Sequence, residues 1–115
     1  MAIYDNLPVY KASHDLLLEV YNVCEKIPRG YKYTLGEKLK DEVTEIMVNI
    51  YEANATTEKK PLIRSAQKCL VRTKIYLKLL HDMKQISTKR LASISDRTET
   101  VSKQLSSWLK SQKDI

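Results

Sequence analysis

A chain of 115 residues fits one domain (1–115), large enough to bury about two thirds of its unfolded surface without a metal or disulfide staple. With only 2 glycines and 3 prolines and abundant Leu, Lys and Glu, the composition predicts an all-α chain. A net charge of +6 favours anionic partners, and no apolar run approaches the roughly 18–20 residues of a membrane span. MAIYDNLPVY lacks the basic-then-apolar order of a signal peptide, so a cytoplasmic protein with no membrane association is expected.

Four helical segments follow in order. The first runs from about Pro8, a good first-turn residue behind Asn6 or Leu7, to Lys26. Leu16, Leu17, Val20, Val23, Cys24 and Ile27 keep a helical rhythm, and Pro28 and Gly30 end it. The second runs from about Leu35 to Ala55, with Leu39, Val43, Ile46, Met47, Ile50 and Ala53 as its apolar stripe. Thr34 and Glu37 stand at capping-box spacing before it. The third runs from about Pro61 to Lys84, carrying Leu62, Ile63, Ala66, Leu70, Thr73, Leu77 and Leu80, widened by Tyr76, Leu79 and Met83. The fourth follows Ser87, a plausible N-cap, and reaches about Lys110. Leu91, Ile94, Val101, Leu105 and Trp108 repeat on it as a heptad, with Thr98 filling one slot. Four amphipathic helices with short loops pack most simply as an antiparallel up-down four-helix bundle. The extra apolar residues of the third helix, and Leu109 on the fourth, fit either an oligomer contact or a broad core stripe.

Charge is unevenly spread. Residues 1–58 hold 6 bases and 10 acids, a net −4, whereas residues 59–90 hold 10 bases and only Asp82, a net +9. Arg64, Lys68 and Arg72 are spaced four apart on one face of the third helix, with Lys74 and Lys78 alongside. Like charges at that spacing weaken a helix, so the row needs compensation. The acidic row Glu37, Asp41 and Glu45 on the neighbouring helix, or another subunit, could supply it. The positive excess outlasts complete pairing, however, and the alternative is a nucleic-acid footprint. Tyr31 and Tyr33 beside Arg29 and Lys32 could stack bases. Arg29, Lys32, Lys59 and Lys60 are therefore further candidates for the binding surface. There is no base-reading motif, so RNA or DNA would be bound without sequence specificity. A helical adaptor that binds only protein is the competing reading.

Catalytic chemistry is not indicated. His14 and His81 have no ligand partner at i+3 or i+4, no glycine-rich phosphate loop or nucleophile elbow occurs, and Cys24 and Cys69 are too isolated for a metal or redox pair. The reading is a non-enzyme without metal or cofactor, its cysteines acting as small hydrophobes.

Several pieces in order carry a family resemblance: LPVYKASHDLLLEVY, IPRGYKYTLGEKLKDEV, IMVNIYEANAT, KKPLIRSAQKCLVRTKIYLKLLHDMKQIS and SSWLKS. Together they resemble the accessory variability determinant (Avd) family of bacterial and phage diversity-generating retroelements. More distantly they resemble the 23S rRNA intervening-sequence proteins of the same four-helix-bundle superfamily. The resemblance implies a basic, barrel-shaped homopentamer. It also implies association with the retroelement reverse transcriptase and with nucleic acid during mutagenic retrohoming. By helix position, Arg64, Lys68, Arg72, Lys74 and Lys78 would form the binding surface. The intervening-sequence branch would imply a bundle without a reverse transcriptase partner.

Overall fold

The computed structural model describes residues 4–112, excepting the side chain of Asp5. Its four long helices are α1 (Pro8–Lys26), α2 (Glu37–Asn54), α3 (Lys60–Asp82) and α4 (Thr88–Ser111). Helices adjacent in sequence pack on one another, α4 closes back onto α1, and the α2–α3 contact is the most extensive. The expected antiparallel four-helix bundle is therefore the fold, 47 Å long and 21 Å across. One end gathers the start of α1, the 55–59 connection and the finish of α4. The other gathers the 27–36 and 83–87 connections.

The apolar stripes meet in one core. Leu16, Val20, Leu39, Val43, Ile46, Ile50, Ile63, Leu77, Leu80, Ile94, Val101 and Leu105 are fully enclosed. Cys24 and Cys69 are buried and free, as expected of isolated cysteines acting as small hydrophobes, and burial pushes both thiols up. Leu17, Met47, Leu62, Leu91 and Trp108 are only half-buried, at the edges of their stripes. The buried polar residues bond within their own helices. Ser13 donates to Val9 O at 2.8 Å, Thr73 to Cys69 O at 2.8 Å and Thr98 to Ser95 O at 2.7 Å. A hydroxyl satisfied by its own helix costs little inside a core, so Thr98 can occupy a heptad slot.

Two helix ends differ from the sequence reading. The capping box is not formed: residues 29–36 are already helical, through a turn at Arg29–Tyr31 and a π-helical segment at Lys32–Gly36. With helical backbone around it, the Thr34 hydroxyl donates back to Gly30 O at 2.7 Å and caps nothing. At the end of α3, Lys84 takes φ 63°. Its amide bonds His81 O at 2.9 Å, and the Gln85 amide bonds Leu80 O at 2.8 Å. This Schellman pair stops the helix at Asp82 rather than Lys84. Ser87 does cap α4, accepting from the Arg90 amide at 3.0 Å. At the same end, Arg90 reaches Glu19 of α1 at 2.7 Å and Arg97 reaches it at 3.8 Å, tying α4 to α1.

Candidate nucleic-acid interface

The outward side of α3 carries the basic row, because its inward side is committed to Ile63, Ala66, Leu70, Thr73, Leu77 and Leu80. Arg64 and Lys68 are exposed and make no ion pair among the described residues. The other three row residues have partners. Arg72 donates from Nε to Glu42 of α2, which with its hydrogen bond raises the guanidinium pKa, and its Nη2 lies 3.5 Å from Cys69 Sγ. Lys74 meets Glu99 of α4 at 3.0 Å, and Lys78 pairs with Asp82 on its own helix. The hydrogen bond from Lys78 is the first cause of the lowered Asp82 pKa.

The pairing partners are not those the sequence offered. Glu42 takes Arg72, one position away from the Glu37–Asp41–Glu45 row, because Glu42 lies on the flank of α2 that faces α3. Glu37 instead pairs with Lys40 at 2.8 Å, and that hydrogen bond raises the Lys40 pKa.

The additional candidates divide by position. Arg29 and Lys32 lie at the opposite end of the bundle from Lys59, Lys60 and Arg64, so the structure does not join them into one surface. Lys32 donates to Glu25 O at 3.2 Å, near the end of α1. Lys59 donates to Ala53 O at 2.7 Å and Thr56 O at 2.6 Å, closing the end of α2. Cations suit these carbonyl-rich helix ends. Lys60 is half-buried at the first position of α3. Tyr31 packs partly buried against the core, whereas Tyr33 is exposed with the Arg29 guanidinium 5.8 Å from its ring centroid.

The structure adds Lys103 and Lys110, which sequence reasoning missed. The Lys74–Glu99 pair fixes the register of α3 against α4. In antiparallel helices, Arg64 and Lys68 on one and Lys103 and Lys110 on the other extend from that pair toward the same bundle end. All four are exposed and make no ion pair among the described residues. Residues 60–81 and 100–112 contain no acid, so the two helices present acid-free stretches side by side there. Absence of acids from residues 100–112 was the available signal for them; that Lys103 borders Leu7, Pro8 and Val9 of the α1 start was not visible in the sequence. Among the described residues, no group of three or more His, Cys, Asp or Glu is placed to hold a metal ion. No described helix is long and apolar enough to cross a membrane.

Fold and surface together define an all-helical bundle with a row of exposed cations on its third helix. A family model described as bAvd-like matches residues 8–112, and the chain belongs to that family. A solved structure of a protein of unknown function from the S23 ribosomal protein family of Bacteroides thetaiotaomicron VPI-5482 is similar in fold. It matches with a TM-score of 0.83 at 22% identity, over 95% of this chain and 100% of that one. No curated protein matches.

Proposed function

We propose that this protein is a cytoplasmic, non-enzymatic accessory of a diversity-generating retroelement. In this reading it binds RNA or DNA without sequence specificity and the reverse transcriptase that copies the template. The observation that carries it is that Arg64 and Lys68 are exposed and make no ion pair among the described residues, on a helix without an acid from Lys60 to His81. Phosphate binding needs uncompensated cations on one face rather than a sculpted pocket, and this row meets that need. Membership of the bAvd-like family supports the retroelement setting. Assembly as a homopentamer would repeat the row five times, and linked weak contacts gain avidity. The competing reading is an intervening-sequence-type bundle or a protein-only adaptor.

The test is binding to a labelled generic RNA and a DNA duplex across a salt series, with oligomer mass measured in the same buffer. Micromolar or tighter affinity that falls steeply with salt is expected. Arg64→Glu with Lys68→Glu should weaken it by about tenfold or more and flatten the salt slope by about 2, roughly one for each phosphate no longer neutralised. Helix content and mass should not change. Arg72 is left alone because its replacement would also break the tie to Glu42. No binding at low salt, or binding indifferent to the double variant, would overturn the reading and favour the adaptor.

A further inference from the structure

The outward side of α3 also carries an apolar row that the core does not use. Val71, Ile75, Leu79 and Met83 follow at intervals of four and are 56%, 53%, 36% and 44% exposed. From Val71 to Leu79 the row spans about 12 Å of helix, and Met83 continues it at the C-cap. A shallow groove of about 370 Å³ runs along it, lined by Val71, Lys74, Ile75, Lys78, Leu79 and Asp82. An isolated exposed apolar side chain is ordinary, but four in register on one helix are a surface held ready for contact.

We infer that this row is the docking site for an acidic amphipathic helix of a partner protein. Charge complementarity selects that occupant. Lys74 and Lys78 line the groove itself, with Arg72 on the other flank of the row and Arg64 and Lys68 beyond its end. The acids that hold Lys74 and Lys78, Glu99 and Asp82, are themselves exposed. Exposed pairs contribute little and exchange readily, so carboxylates of an incoming helix can replace them without leaving a buried charge behind. Apolar residues of the partner at i, i+3, i+4 and i+7 would rest on Val71, Ile75 and Leu79 while its acids face the lysines. A second copy fits less well. Its own α3 would set lysine against lysine. Its acidic α2 offers Val48 as one exposed apolar residue, since the exposed Tyr51 ring is already engaged 4.6 Å from that of Tyr4. Its α1 offers Leu18, since the exposed Tyr21 ring already has the Lys40 ammonium 5.0 Å from its centroid.

The inference extends the accessory reading and rests on it only in requiring a protein partner. The probe is a synthetic amphipathic helix of about 15 residues, some 22 Å long, with Leu on one face and Glu on its flanks. A version with Lys in place of every Glu is the control, and both are titrated against the full chain by fluorescence anisotropy. The acidic peptide should bind at least about tenfold more tightly than its Lys version, and more weakly as salt rises. Ile75→Asp, and the milder Val71→Ser, should weaken it by about tenfold and about threefold, with helix content and oligomer mass unchanged. RNA affinity of these variants should match the unaltered protein, whereas the Arg64→Glu, Lys68→Glu variant should lose RNA and keep most of the peptide affinity. Failure of peptide binding beside intact RNA binding sinks the docking site alone; the reverse result sinks the nucleic-acid reading alone. Equal binding of acidic and basic peptides overturns the inference. So does a fall in oligomer mass on Ile75→Asp, which would make the row an interface between copies.

Discussion

Helices α2 and α3 pack side by side, each with one enclosed stripe, yet their outer faces have opposite chemistry. Among the exposed residues of α2 are Asp41, Glu45 and Glu52, whereas α3 exposes Arg64, Lys68, Arg72 and Lys78 with the apolar row among them. Their starts differ too: α2 emerges from a π-helical turn packed on Cys24, and α3 begins with Pro61 in its first turn. The inner faces are alike because burial imposes one demand on both. The outer faces differ because nothing in the fold constrains them, which leaves them free to carry partner chemistry.

The comparison breaks first from the inside. Leu77→Ala on α3 and Ile46→Ala on α2, both fully enclosed, should each cost about 2–5 kcal/mol in denaturant unfolding. Nucleic-acid affinity per folded molecule should stay constant. Charge reversal at Arg64 and Lys68 should do the opposite, weakening binding by about tenfold or more while the unfolding midpoint barely moves.

The two starts are compared through Gly36. A Cβ there would meet Cys24 Sγ and Tyr31 O, each at 3.3 Å, in a buried turn. Gly36→Ala should therefore destabilise by about 1 kcal/mol, measured by thermal unfolding. Gly30→Ala, with open space around it and no positive φ, should instead stabilise by about 0.5 kcal/mol, which isolates the crowding at Gly36. At the far end of α3, Lys84 holds a left-handed conformation that glycine adopts without penalty. Lys84→Gly should stabilise by about 1 kcal/mol, seen as a rise in the unfolding midpoint.

The smallest effect is titration of the Lys78–Asp82 pair beside the apolar row. The carboxyl is held below its ordinary pKa of 3.8, so its contribution is present above that pH and is lost as pH falls through the lowered value. A carbon-13 NMR titration of Asp82 should show the depressed midpoint, and Lys78→Met should return it toward the ordinary value.

The sequence by itself determined the helices, their inward stripes and hence the bundle, because a period of 3.6 residues allows each helix only one way to hide its apolar residues. It also located the uneven charge. Caps were less legible. Ser87 works as a cap because its backbone is extended, and Thr34 does not because tertiary packing had already wound the residues before it into a helix. Only the tertiary structure decided which cations are free. Pairing of Arg72 with Glu42, of Lys74 with Glu99 and capping by Lys59 depend on which residues meet in the folded chain. Val71 and Ile75 likewise became an exposed row only once the core had been filled by others, a competition that spacing along one helix does not reveal.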